Sequence, residues 1–441
     1  MLTPAEAEQL ILEAMTPFHR EDCPLASAHG RVLRMDLRAD RDLPPFARVT
    51  MDGYAVRSAA LAAGGRTFRV LGVQAAGMRA FKLGEAADSS LEIMTGAVLP
   101  DGADCVVPYE ETTRDGVTMT VTGDATALKP GNAIHARGSD HRAGEVLVRP
   151  GARVTGREIA VAAACGYASL TVSQQPKIAV IASGDELVEV DAPVAAHQIR
   201  RSNDYAIRAG LQLAGYPNVA RFHIRDVRSE IEHLLWHILA EFDVVILTGG
   251  VSKGKFDFLP AELEQQGVQK RLHGVAQRPG KPLWFGVSAR RTPVFALPGN
   301  PVSAYTCLHR YVLPALAHAS GQSVRPPQVV ALGVPVTFKP KLAYLLPVKL
   351  GGAGSFQLAG KSERGSEETS CLGTSSSTLA GTRYANPEGI NRFPSARVAV
   401  PDPSNTSGDF AGLLATDGFI ELPAGGGSFP VGTLAPFHPW V

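Results

Sequence analysis

The chain of 441 residues is poor in cysteine, in net charge and in long apolar runs. Its five cysteines, Cys23, Cys105, Cys165, Cys307 and Cys371, are scattered, odd in number and form no C-x-x-C pair. That argues against a disulfide framework and against a thiolate zinc site, and leaves each as a small buried hydrophobe. The formal net charge is only +1. No global field then steers the chain towards nucleic acid or anionic lipid, and an anionic ligand has to be held by local groups. No apolar stretch is long enough to span a bilayer. The opening MLTPAEAEQLILEAM carries acids and lacks the basic-then-apolar order of a secretion signal. The expectation is a cytoplasmic protein with neither a nucleic-acid nor a membrane partner. What the chain does have, 45% hydrophobic and 19% charged residues, is enough for proper cores, and its length calls for several domains.

Local signals divide it. Thr3, Pro4 and Glu6 make a capping box for a helix over 4–15 with Leu10, Ile11 and Met15 inward. Pro44-Pro45 ends regular structure. From 46 to 140 the chain is glycine-rich with short β-like runs such as Phe68–Leu71 and Cys105–Val107. A second capping box, Thr155 with Glu158, opens a helix that Gly166 stops. Between 176 and 320, strands alternate with helical patterns, and a third box, Ser229 with Glu232, precedes Ile231, Leu234, Leu235 and Ile238 on one helix face. Alternation of this kind predicts a mainly parallel sheet covered on both faces. Beyond Pro326-Pro327 a β-rich tail contains a Ser/Gly-rich stretch, 365–377, expected to be a mobile loop. The expected architecture is multidomain α/β: 1–45 with 141–175, an inserted β-rich domain 46–140, a three-layer α/β domain 176–326, and a β domain 327–441.

Within the α/β domain, "FDVVILTGGVSKGKFDF" (242–258) ends a buried-looking strand in G-x-x-x-x-G-K, nearly a phosphate-cradling P-loop. Phe256 occupies the position of the magnesium-binding hydroxyl, and Asp243 precedes its strand instead of ending one, so this is a loop of another kind. No G-x-G-x-x-G follows any strand, which makes a dinucleotide fold unlikely. Ligands of open α/β sheets bind at the carboxyl ends of strands. Five such ends carry polar or glycine-rich sequence: Ser183-Gly184-Asp185-Glu186; Asp226; Thr248-Gly249-Gly250 with Ser252, Lys255 and Asp257; Arg278 and Lys281; and Pro298-Gly299-Asn300 with Ser303. The glycines let backbone N–H groups approach a phosphate, and the bases add positive charge. Glu186, Asp226 and Asp257 would repel that phosphate unless a divalent cation, naturally magnesium, lay between.

In order along the chain, "TMDGYAV" (50–56), "IMTGAVLPDGADCVVPYE" (93–110), "RGSD" (137–140), "ASGDEL" (182–187), "TGGVSKGKFD" (248–257), "RPGKP" (278–282), "LPGNPVSA" (297–304) and "SGDFAGLLATDGFIELPA" (407–424) resemble the molybdopterin molybdenumtransferase family. The central domain also resembles the molybdopterin adenylyltransferase domain, and gephyrin joins both kinds. The resemblance implies four domains and a homodimer whose cleft is shared between subunits. It implies adenylylated molybdopterin and molybdate as substrates, AMP as product, magnesium as cofactor, and the adenylyltransferase as a candidate partner. It implies that Glu186, Asp226 and Asp257 bind magnesium or polarise water. Arg278 and Lys281 would stabilise phosphate charge. Ser183, Gly184, Asp185, Thr248, Gly249, Gly250, Ser252 and Lys255 would cradle phosphate or pterin. Pro298, Gly299, Asn300 and Ser303 would shape the pterin pocket, with Asp52, Thr95 and Asp140 approaching from the second subunit.

Two family carboxylates are absent. Ala47 stands in the family's P-F-D-N stretch, followed by Arg48, and Ser139 replaces the acid of R-G-E-D. These departures leave room for a paralogue that carries or scaffolds the cofactor or inserts another oxyanion such as tungstate. A magnesium-dependent nucleotide pyrophosphatase is the other reading of the same phosphate chemistry. His135 and His141, beside R-G-S-D, read as exposed loop residues, and Asp409 as structural.

Overall fold

The computed structural model describes residues 1–250, 259–323, 326–351, 397–402 and 408–440. The 365–377 stretch and Cys371 lie outside the described residues. The chain forms two compact units, one comprising 1–21, 30–32 and 173–441, the other 22–29 and 33–172.

The larger unit is built on a six-stranded sheet. Its strands are β1 (Ile178–Ser183), β2 (Val219–Ile224), β3 (Val244–Thr248), β4 (Gln269–His273), β5 (Trp284–Val287) and β6 (Pro293–Leu297). The spatial order is β2-β1-β3-β6-β5-β4. β1 pairs in parallel with β2 and β3, and β3 with β6, whereas β5 runs antiparallel to both neighbours. β1, β3 and β6 are buried at every position, as strands covered on both faces must be. On one face, Ile207 and Leu211 of the helix Asn203–Leu213 pack on Ile178, Val180 and Ile246, together with Ala304 and Leu308. On the other, Ile231, Leu235 and Ile238 of the helix Arg228–Glu241 and Leu263 of the helix Leu259–Gln265 cover Ala179, Ile181 and Leu247.

The helix Pro4–Ala14 opens with the expected capping box: Thr3 Oγ1 accepts from Glu6 N–H at 3.3 Å, and Glu6 accepts from Thr3 N–H at 2.8 Å. Its Ala7 and Ile11, with Met15 just beyond, join the first face of the sheet, while Leu10 is half-buried. The third capping box does not form. The helix begins at Arg228 with Val227 as its N-cap and no side-chain cap bond, and Leu234 is only partly buried. Asp226 is held in the loop by other contacts, described below, and these set where the helix starts. The last helix of the sheet region runs Pro301–Cys307, loosens into a π turn at Leu308–Val312 and continues to Ala319. Pro314 lacks the amide that would continue the ladder there.

The tail folds as a β barrel. Ala343–Gly351, Val398–Pro401, Gln328–Leu332, Leu434–Pro439 and Gly418–Leu422 pair in that order, and the last pairs back to the first. Closure removes free edges and encloses Leu332, Val348, Ile420, Leu422 and Phe437. Gln277–Arg278 adds to Ala343–Tyr344. Arg310 is 5% exposed and joins the parts, reaching Glu8 at 2.7 Å and Glu421 at 2.8 Å.

The smaller unit carries a six-stranded sheet of its own, ordered Cys105–Pro108, Gly53–Val56, Ser89–Ile93, Thr67–Gln74, Thr118–Val121, Thr112–Asp115. Apolar clusters lie on both of its faces. The Thr155–Glu158 capping box is present and opens the helix Gly156–Ala164. The four described cysteines are all buried, and burial pushes the Cys307 thiol up to about 12, so it packs as a hydrophobe. Among the described residues no helix is long and apolar enough to cross a membrane.

Candidate active site

The helices that follow β1 and β3 lie on opposite faces of the sheet, which opens a crevice at the carboxyl ends of these two neighbours. A cleft of about 670 Å³ occupies this switch point. Its lining includes Ser183, Gly184 and Glu186 after β1, Asp226 after β2, Thr248, Gly249 and Gly250 after β3, and Pro298, Gly299 and Asn300 after β6. Pro282 and Gly408 complete it from more distant segments. The size suits a nucleotide- or cofactor-sized ligand.

The glycines are there because nothing larger fits. Gly249 has φ +92°, and a Cβ at that position would stand 2.5 Å from the carbonyl oxygen of Ser183. Gly250 has φ +63°, and its Cβ would meet Leu259 Cδ1 at 2.5 Å. The β3 loop is therefore pressed against the end of β1 by backbone contact. A second set of bonds ties it to the β6 loop. Gly249 N–H donates to Leu297 O at 3.3 Å, and Thr248 Oγ1 donates to Pro298 O at 3.2 Å. Asn203 Nδ2 donates to Thr248 Oγ1 at 2.9 Å and to Gly299 O at 2.7 Å, clamping both loops to the start of its helix.

The acids form their own group. Ser183 Oγ donates to Asp226 Oδ1 at 2.9 Å, and Asp226 N–H donates to Asp185 Oδ1 at 3.1 Å. These bonds hold Asp226 at the cleft and fix the loop before the next helix. Glu186 folds back over Gly184, where a Cβ would lie 2.4 Å from its Oε2. Among the described residues, no group of three or more His, Cys, Asp or Glu side chains is placed so that it could hold a metal ion by itself. Glu186 and Asp226 offer only hard oxygen donors, a set that suits magnesium when substrate phosphates complete its shell.

Other residues singled out from the sequence lie elsewhere. Ser252, Lys255 and Asp257, with the rest of 251–258, are outside the described residues. Arg278 and Lys281 are exposed and are not part of the cleft lining; they follow β4, the far edge of the sheet, and Arg278 pairs with Tyr344 at the barrel. Ser303 is 5% exposed inside its helix. In the smaller unit, Asp52 Oδ1 accepts from both the N–H and the Oγ1 of Thr95, at 2.6 and 2.7 Å, and these bonds hold its carboxyl below the usual range. Asp140 lies 2.9 Å from His135 Nε2, and Arg48 is 3.4 Å from His135 Nδ1. His141 pairs with Glu145. Asp409 caps a short turn by accepting from Gly412 N–H at 3.1 Å.

Several residues of the cleft were not picked out from the sequence as site residues, among them four with polar or charged side chains. Arg200, Arg201, Asn203 and Asp204 lie in a return segment and helix start that carry no motif. Arg201 is tied up by Glu189 and Asp204, both at 2.6 Å, and Arg221 reaches the same buried Asp204 at 2.9 Å.

Comparison with known proteins accounts for the whole chain. Residues 2–166 match the family described as MoeA N-terminal region (domain I and II), and residues 179–318 match the probable molybdopterin binding domain. The molybdopterin molybdenumtransferase of a Synechocystis species is 35% identical over 441 residues, covering all of both chains. That of Haemophilus influenzae is 34% identical over 75% of this chain and 81% of its own. The molybdopterin biosynthesis MoeA protein of Pyrococcus horikoshii superposes with a TM-score of 0.75 at 27% identity, over 100% of this chain and 99% of that one. Full-length similarity of this kind, running through the cleft-forming loops and through both units, places the chain in the molybdopterin molybdenumtransferase family.

Proposed function

We propose that the chain inserts molybdate into adenylylated molybdopterin, releasing AMP and giving the molybdenum cofactor. The observation that carries this reading is the cleft at the switch point. Glycine backbone, a helix start, carboxylates and arginine line one space of nucleotide size there. Water splits the pyrophosphate linkage into AMP and the pterin phosphate, and the dithiolene sulfurs take the metal of molybdate. Gly249 and Gly250, lacking side chains, let the phosphates approach the loop backbone closely, and Asn203 with Thr248 keeps that loop in place. Pro298, Gly299 and Asn300 shape the pterin side. Glu186 and Asp226, with Asp257, would hold magnesium, which when bound offsets phosphate charge.

The active unit in this proposal is a cytoplasmic homodimer. A second copy contributes Asp52, Thr95 and Asp140 to each cleft, and the molybdopterin adenylyltransferase delivers the substrate. The four-part division with boundaries near 45, 140, 175 and 326 belongs to the same proposal. The test is AMP release from adenylylated molybdopterin, with and without magnesium and molybdate. Release that depends on both, with metal-bound cofactor formed, is the expected result. Tight binding of the pterin nucleotide with no AMP released under any condition would overturn the enzyme reading and leave a carrier.

A further inference from the structure

The positive charge of the cleft sits in an unexpected place. Among the described residues its lining contains two cations, Arg200 and Arg201. Arg201 is 5% exposed, with its guanidinium bound to Glu189 and Asp204. Arg200 is exposed and makes no hydrogen bond or ion pair with a described residue. Its backbone is fixed all the same. After β1 the chain forms a two-stranded parallel ribbon, in which Leu187 pairs with Ile199 and Val188 with Arg200. Ile199 N–H donates to Glu186 O at 2.8 Å, and Arg201 N–H donates to Val188 O at 2.9 Å. The ribbon thus carries an unengaged guanidinium on hydrogen-bonded backbone at the cleft.

One feature around it favours an anion, and another makes a cation necessary for holding one. The helix Asn203–Leu213 begins three residues later, and Ser202 makes no side-chain cap bond, so first-turn N–H groups remain at the cleft. The nearby carboxylates Glu186 and Asp226 line the same space and repel an oxyanion. A ligand carrying phosphate therefore needs a cation, and among the described residues that line the cleft Arg200 is the one not already engaged. A guanidinium also offers two parallel donors to a tetrahedral oxyanion, which a lysine does not.

We propose that Arg200 is an oxyanion-binding residue of the cleft, holding a phosphoryl group of the substrate. This rests on the reading of the cleft given under the proposed function. Molybdate is a tetrahedral oxyanion of the same chemistry, so the experiment separates the two sources. AMP and molybdate are titrated separately, with magnesium, into the full chain and into Arg200→Gln, Arg200→Lys and Arg208→Gln. Arg208 is exposed and does not line the cleft, so its variant controls for the loss of one surface charge.

The expected result is AMP affinity weakened about tenfold or more in Arg200→Gln. Arg200→Lys should fall between it and the wild type, and Arg208→Gln should match the wild type. Weakening confined to the molybdate titration would support the residue as an oxyanion ligand but assign it to the metal oxyanion. Wild-type affinity of Arg200→Gln for both anions would overturn the assignment while leaving the cleft reading standing. Failure of the wild type to bind either anion would overturn the cleft reading, and this proposal with it. Arg200→Lys keeps the charge and serves as the test if Arg200→Gln does not fold.

Discussion

Alanine in place of Gly249 should cost more than its conformation alone explains. The backbone there has φ +92°, in the region an L-residue enters at a cost of about 1–2 kcal/mol. The added Cβ would also lie 2.5 Å from the Ser183 carbonyl oxygen, a backbone atom at the end of a strand paired on both sides. No side chain can rotate away, so the loop must move, which costs about 1–3 kcal/mol more. Gly267 separates the two effects, since its φ is +81° but nothing lies within 4 Å of a Cβ there. Gly250 falls between, because its Cβ would strike the tip of the Leu259 side chain, which can turn. Urea unfolding should therefore rank Gly249→Ala as the most destabilised, Gly250→Ala next and Gly267→Ala least, with about 1–3 kcal/mol between the extremes. Folded Gly249→Ala should also bind AMP more weakly, since the loop it displaces lines the cleft. A Gly249→Ala protein as stable as Gly267→Ala would refute the close-approach argument.

Asn203→Ala removes two bonds, at 2.9 and 2.7 Å, that tie the β3 and β6 loops together, and should lower stability by about 2 kcal/mol with a clear loss of AMP release. Asn203→Asp should be worse, because it turns a carboxylate oxygen towards the Gly299 carbonyl; equal behaviour in the two variants would refute the clamp. Arg310→Met strands Glu8 and Glu421 beside a buried junction, and a loss of about 3 kcal/mol in urea unfolding is expected. The histidines beside Arg310 should make stability depend on pH. Burial holds His309 down to about 4, and burial with the charge of Arg310 holds His438 down to about 3. His438 lies 3.8 Å from Glu421, but that carboxylate is already engaged by Arg310, so the imidazole stays neutral. The unfolded imidazoles titrate near 6.5 and take up protons first. The stability from neutral burial is therefore complete above about pH 6.5 and falls by about 2 kcal/mol per histidine by pH 5. Urea midpoints at pH 7.5 and 5 check this, and His309→Gln should flatten the slope.

Local chemistry was legible wherever nothing distant competed with it. The Thr3–Glu6 and Thr155–Glu158 boxes formed as read, because in each the cap residue has no other partner that would move the helix start. Ser229–Glu232 carries the same signal and failed. Asp226, three residues earlier, is held by Ser183 and Asp185 from another loop, and the helix starts at Arg228. The strand Gln269–His273 was marked only by the polar loop that follows it. It is an edge strand with only Leu272 buried, so it has neither the alternation nor the apolar run by which strands are found.

The site divides along the same line. A residue that follows a strand directly can be read from sequence, because the end of the strand fixes the rim it occupies. Ser183, Asp226, Gly249 and Gly299 were accessible in this way and do share one cleft. The spatial order of the strands cannot be read so. With the order β2-β1-β3-β6-β5-β4, four of the five polar strand ends are neighbours, while the fifth, carrying Arg278 and Lys281, lies beyond an antiparallel strand at the far edge. Of that fifth loop Pro282 lines the cleft but Arg278 and Lys281 do not, and the arginines that line it come from another segment. The return segment after β1 leaves the rim at Glu186 and re-enters it with Arg200, Arg201 and Asn203. No motif marks this segment, because its role depends on being folded back beside its own starting point. The lining of the cleft is thus divided between loops that sequence identifies by position and a ribbon that only the fold brings to them.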